Sequence, residues 1–158
     1  MDAATEQEEL TPLHPDYVKV VRLGSVVVAA PLLIGAGVVV YLGLLPPALV
    51  LIPAFLVSAY AILLAPVRRY QARGYRLEGD RLRVVGGLLF RHDTVVPFSR
   101  VQHLDVEQGP VERLYGLGRL VLHTAGNHNA SVTLPGLLHS QAVAIREVIR
   151  AQLAREAA

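Results

Sequence analysis

Ser99, His103 and Asp105 are the three residue types of a hydrolytic triad, set close together in the chain. If they share one strand, Ser99 and His103 are four residues apart, or about 13 Å at ~3.3 Å per residue. A nucleophile and its base must approach to about 3 Å, so this spacing does not assemble a triad. His103 and Asp105 point to the same strand face and can pair, on a face expected to be solvated. His123, His128 and His139 suggest different chemistry, because three histidines with an open fourth position form a known catalytic zinc arrangement. Their spacing matches no standard motif, and no obvious carboxylate is at hand to orient the imidazoles, so they read as histidines of a polar hairpin. The chain has no Cys, which removes thiolate metal sites, disulfides and cysteine nucleophiles. No metal is expected.

The stretch "LYGLGRLVLHTAG" holds Gly116 and Gly118 and looks at first like a phosphate loop. A phosphate loop needs its glycines after a strand and before a helix N-terminus. Here "PVERLYG" reads as a short helical turn with Pro110 at its first position and Gly116 at its stop, and the strand comes afterwards. The order is reversed, so Gly116 is expected to end a helix and Gly118 to permit close backbone approach. Neither a catalytic centre nor a cofactor is expected anywhere in the chain.

The remaining chemistry-bearing set is Arg68, Arg69, Arg73 and Arg76. Near an anionic leaflet each Arg contributes about 1 kcal/mol of attraction, and the four together are assigned to membrane-surface or lipid-headgroup contact. The wider charge pattern agrees. Residues 1–22 carry Asp2, Glu6, Glu8, Glu9 and Asp16 against Lys19 and Arg22, whereas residues 68–158 carry thirteen Arg against eight carboxylates, a net charge of +5.

What positions those arginines is the uncharged stretch before them. No charged residue occurs between Arg22 and Arg68, and the chain as a whole is 53% hydrophobic. One bilayer crossing needs ~20 residues, so the stretch predicts two spans, Leu23 to Leu45 and Ala48 to Val67, with the turn at Pro46-Pro47. Pro31 and Pro53 fall inside the spans, where kinks are expected and where membrane helices tolerate them. Ser25 and Ala29, and Ala54 and Ser58, have the four-residue spacing of small residues that lets helices approach closely. Basic residues flank the outer ends and the loop is uncharged, which predicts both termini in the cytoplasm. A cleaved signal peptide would need a short basic leader, and the acidic leader here argues against one.

From Tyr75 the pattern changes to short alternating runs broken by turn residues, which predicts β structure. "YRLEGDRLRVVGG" reads as a hairpin turning at Glu78-Gly79-Asp80, "LLFRHDTVVP" as a third strand and "VQHLDVEQG" as a fourth. "GRLVLHT" and "SVTLPG" form a hairpin around Ala125 to Asn129. Beyond Ser140, a candidate N-cap, Ala142, Ile145, Val148, Ile149 and Leu153 recur at helical spacing, with Arg146, Glu147, Arg150 and Arg155 opposite. The predicted architecture is a membrane α-helical hairpin followed by an all-β sandwich or barrel closed by a C-terminal α-helix. Its divisions are a cytoplasmic tail over 1–21, the hairpin over 22–67 and the β domain over 68–158.

The "LHPDYVKVVRL" lead-in, two spans, the Arg-rich exit, "VPFSRVQHLDVEQGPVERLYGLGRLVLHTAG" and "VTLPGL" before a terminal helix together resemble the bacterial pleckstrin-homology (PH) domain membrane proteins of the YdbS-like type. The resemblance implies an integral protein of the cytoplasmic membrane with a PH-like domain and no established catalytic role. It also implies a partner, either a membrane protein carrying related PH-like domains or a second copy, and a setting in envelope stress or resistance to membrane-active peptides. Eukaryotic PH domains cradle inositides in a basic loop between the first two strands. Here that turn is the acidic Glu78-Gly79-Asp80.

Two functions follow as expectations. One is a non-catalytic interaction module on the membrane, since exposed strand edges suit peptide or strand recognition. The alternative is a phospholipid-binding or lipid-handling protein held at the leaflet by its arginines. Nucleic-acid binding is not expected, because Arg alternates with acids and few aromatics are available to stack.

Overall fold

The computed structural model describes residues 10–125 and 131–156. Helix α1 spans Tyr17–Tyr41 and a second helix, α2, spans Pro47–Gln71; both are long and apolar enough to cross a membrane. The helices run unbroken through Pro31 and Pro53. The turn between them differs from expectation. Gly43 adopts φ +67°, its N–H donates to Val40 O, and Leu44 N–H donates to Val39 O. This pair of bonds is a glycine C-cap, so α1 stops at Tyr41, before the prolines are reached. Pro46 and Pro47 instead begin α2, where a missing N–H costs nothing. Within α2, Tyr60–Leu64 is a π-helical segment, and Arg22 Nε donates to its Ile62 carbonyl at 3.2 Å, tying the two helices together.

Small residues form the seam between the helices. Ala29, Ala36, Ala54 and Ser58 are buried there, while most of the large apolar side chains around them face outward. Three of the four expected small residues thus lie in the contact, and Ser25 is half-buried at its edge with its hydroxyl bonded to Val21 O.

The β domain has two antiparallel sheets. Strands β1 (Thr11–Pro12), β2 (Gly74–Glu78), β3 (Arg81–Gly86) and β4 (His92–Pro97) form the first in that order. Strands β5 (Val101–Glu107), β6 (Leu117–Thr124) and β7 (Ser131–Leu138) form the second. The two-residue β1 comes from before α1 and pairs with β2 through Thr11↔Tyr75 and Pro12↔Gly74. Leu13 and Tyr17 continue from it into the domain's core, so the lead-in packs as part of the domain. The third strand is shorter than its sequence run: Leu88, Leu89 and Phe90 lie outside it, in the loop before β4. Gly126 to Asn129 of the last hairpin, with His128, lie outside the described residues.

Helix α3 (Pro110–Leu114) is the short turn expected before Gly116, which takes φ +65°. Its carboxylate Glu112 is buried and accepts the Gly109 N–H at 2.7 Å, closing the helix start. Helix α4 (His139–Glu156) packs on the second sheet. Its start falls one residue before the expected Ser140 cap. Leu138 is still paired with Leu117 in the sheet, and its N–H donates to Gln141 Oε1 at 3.1 Å, so the glutamine three residues into the helix serves the cap. Ala142 and Ile149 are buried, and Ile145 and Leu153 pack beside them. Val148 is 53% exposed, because at ~100° per residue it lies about 100° from the centre of that stripe. Residues of both sheets and α4 share one core, including Leu82, Val96, Leu104, Leu120, Leu134 and Ile149.

Candidate functional site

The predicted arginines separate into three environments. Arg68 and Arg69 are exposed on the last turns of α2, with Arg68 over the Tyr60 ring at 5.9 Å. Arg73, half-buried, donates through Nη1 to the Tyr17 hydroxyl and lies over the same ring, so it joins the start of α1 to the end of α2. Its side chain also packs on Gly86, where a Cβ would meet Arg73 Cγ at 3.4 Å. Arg76 belongs to the outer face of the first sheet. It lies 3.6 Å from Glu78 and opposite Arg83, whose Nε donates to Asp93 at 3.0 Å. The hydrogen bond from Arg83 holds the Asp93 carboxyl below the usual carboxylate range, against the opposing effect of burial.

A cavity of about 450 Å³ opens between the sheets at the end nearest the helices. Tyr17, Arg73, His92, Thr94, Arg119 and Thr133 bring the polar groups to it. They come from α1, the turn after α2, β4, β6 and β7, which is why sequence reasoning found only Arg73. Arg119 is partly neutralised by Glu112 at 3.2 Å. Among the described residues no carboxylate lines the cavity. Two guanidiniums, an imidazole and three hydroxyls against an apolar wall suit the binding of an anionic group.

The other sequence-derived sets are dispersed. Ser99 sits in a 3-10 turn (Phe98–Arg100), off the strand that carries His103 and Asp105. His103 Nδ1 contacts its neighbour's carbonyl, Gln102 O, at 3.0 Å. Asp105 lies 3.2 Å from His123 Nε2 across the ladder, so His123 does have the carboxylate partner that the sequence reading failed to find. Cross-strand register, which no linear spacing reveals, supplies it. His139 lies beside Gly118, five residues along β6 from His123 and so about 17 Å away at ~3.3 Å per residue. Gly118 itself is needed for close approach, since a Cβ there would meet Glu107 O at 3.1 Å. The Glu78-Gly79-Asp80 turn lies at the end of the first sheet opposite Gly74, away from the helices. Among the described residues no group of three His, Asp or Glu is placed to hold a metal ion.

The chain is 28% identical over 98 residues to the UPF0699 transmembrane protein YdbS of Bacillus subtilis (strain 168); the match covers 62% of this chain and 59% of that protein. No solved structure gives a significant match. The model of the bacterial PH domain family matches residues 17–153, reaching from the first turn of α1 through both sheets and nearly to the end of α4. With two apolar helices seated on a two-sheet domain, the chain is a membrane protein and belongs to the bacterial PH domain family.

Proposed function

We propose that the protein crosses the cytoplasmic membrane twice, keeps both termini in the cytoplasm, and uses its PH-like domain as a non-catalytic interaction module seated on the inner leaflet. The observation that carries this reading is the shared core: Leu13 of the lead-in, Tyr17 at the start of α1 and Tyr70 near the end of α2 pack with residues of both sheets. A domain held at both ends of a hairpin has a fixed orientation to the bilayer, which suits it to present one face to lipid and another to a partner. The partner is a membrane protein with related PH-like domains or a second copy; what supports this, and a setting in envelope stress, is the family resemblance. Reporter fusions at the N-terminus and after Val67 are expected to report cytoplasm, and a periplasmic signal from either overturns the topology. Purification from native membranes is expected to recover a protein partner.

A second reading rests on the cavity between the sheets. Arg73, Arg119 and His92 line it at the end of the domain nearest the helices and can hold an anionic phospholipid headgroup. Native mass spectrometry separates the two readings. Retained lipid of one class, lost on Arg119→Ala, favours lipid handling, whereas a co-purifying protein without lipid favours the module.

A further inference from the structure

Outside the two long helices, three large apolar side chains stand more than three-quarters exposed among the described residues: Leu89 at 87%, Phe90 at 77% and Leu114 at 78%. All three lie at the same end of the domain. Leu89 and Phe90 occupy the loop between β3 and β4, which leaves the sheet at Gly86↔His92, just beyond the row in which Val85 pairs with Gly74. Gly74 follows the end of α2 by three residues, and the Arg73 side chain packs against Gly86. Leu114 ends α3, which packs on α1, and the neighbouring Tyr115 ring lies 5.9 Å from Lys19 Nζ in the first turn of α1.

The depths agree. Lys19 precedes the uncharged stretch at Leu23 by four helical residues, and Gln71 follows its end at Val67 by four, each about 6 Å at ~1.5 Å per residue. The five-residue loop Gly87–Arg91 has its apex two residues from either end, a reach of at most about 7 Å at ~3.3 Å per residue. Its shape is imposed. Gly87 holds φ +114°, and a Cβ there would fall 1.8 Å from Phe90 O, so the chain folds back tightly and turns Leu89 and Phe90 outward. Each apolar tip is followed or preceded by an exposed arginine, Arg91 and Arg113, the pairing by which a side chain enters the acyl boundary while its neighbour stays with the phosphates.

We propose that Leu89-Phe90 and Leu114 are two apolar feet that insert into the boundary between headgroups and acyl chains of the leaflet the hairpin enters, with Arg91 and Arg113 on the phosphates above them. The occupant is lipid because both tips lie at the end of the domain where α1 and α2 leave the uncharged stretch, each with an exposed arginine beside it, and this inference rests on those helices being in the bilayer. The feet are distinct from the arginines of α2 and from the cavity between the sheets.

The chain contains no Trp, so one introduced Trp is a clean reporter. The full-length protein carrying Phe90→Trp or Leu114→Trp is reconstituted in vesicles of phosphatidylcholine and phosphatidylglycerol, with plain or brominated acyl chains. Both substitutions replace side chains already exposed. Gly79→Trp, at the far end of the first sheet in open space, reports the aqueous side, and Phe55→Trp, outward-facing on α2, reports the bilayer. Brominated lipid is expected to quench Trp at 90 and 114 at least about twofold more strongly than Trp at 79, with blue-shifted emission. Quenching at 55 but none above the Gly79→Trp level at 90 and 114 overturns the feet and leaves the hairpin standing. Absence of quenching at 55 overturns both. Blue-shifted but unquenched emission at 90 and 114 means that protein, such as a second copy, covers them, and it also overturns the proposal.

Discussion

The helical hairpin and the β domain bury opposite kinds of residue. Along the seam of the hairpin the buried positions are small, Ala29, Ala36, Ala54 and Ser58, and side chains as large as Phe55 and Val28 face outward at 66% and 74% exposure. In the domain Leu82, Leu120, Leu122, Leu134 and Ile149 are fully inside. The difference is the one expected of a membrane protein whose hairpin faces lipid and whose domain faces water. Water drives large apolar groups together at about 25 cal/mol per Å². Lipid offers no such drive, so helices there associate through close backbone approach at small residues.

The sharpest break of this contrast is in the domain. Ile149→Asp buries an unpaired carboxylate and is expected to cost about 4 kcal/mol or more, unfolding the domain while leaving α1 and α2 helical. Circular dichroism of the detergent-solubilised protein would show loss of β signal with helix retained; an unchanged melting temperature shows that α4 is not packed as described. Next comes the junction. Gly136 holds φ +71°, and a Cβ there would lie 2.9 Å from Tyr17 Cγ and 3.1 Å from Leu13 Cδ1. Gly136→Ala is therefore expected to cost about 2–3 kcal/mol and to loosen the lead-in from the domain, read as faster hydrogen exchange over residues 11–17. Equal exchange in both proteins would mean that the two regions are not coupled there.

Within the hairpin, adjacent positions test the inversion directly. Ala54→Leu overpacks the seam and is expected to cost about 1–3 kcal/mol, whereas Phe55→Leu, on the outward face, stays within about 0.5 kcal/mol. Equal effects on thermal stability in micelles would erase the distinction. The smallest effect is electrostatic and confined to the domain surface. Because Arg83 lowers the Asp93 pKa in the folded state, their pair contributes stability above the unfolded carboxylate value, and this is lost as pH falls through the lowered folded value. The pair is exposed, so Asp93→Asn is expected to remove no more than about 1 kcal/mol at neutral pH and to flatten the acid side of the stability profile. A variant with an unaltered acid limb would exclude the pair as a contributor.

The elements themselves were largely legible in the chain. An uncharged stretch bounded by Arg22 and Arg68 specifies a helical hairpin by length and hydropathy, and period-two runs with Gly and Pro punctuation specify the strands and the short turn at Pro110, because these signals depend on a few neighbouring residues. Even the helix seam was visible as small-residue spacing. Local signals misled where two of them competed. Pro46-Pro47 looked like the helix stop, but Gly43 comes first and can take positive φ. Ser140 looked like the cap, but strand pairing holds Leu138 until the residue before the helix.

Tertiary structure alone decided the rest, because it depends on residues far apart in sequence meeting in space. Pairing of Thr11–Pro12 with β2 drew Leu13 and Tyr17 into the domain core and turned Arg73 toward the Tyr17 hydroxyl. The cavity draws Arg73, His92 and Arg119 from three separate segments. Leu89 and Phe90 read as part of a strand run, and only the tight turn at Gly87, next to the exit of α2, sets them outside the sheet with nothing of the domain's core over them. Apolar pattern determines what must leave water. Which surface it leaves for is set by the geometry that brings the strand ends back to the helices.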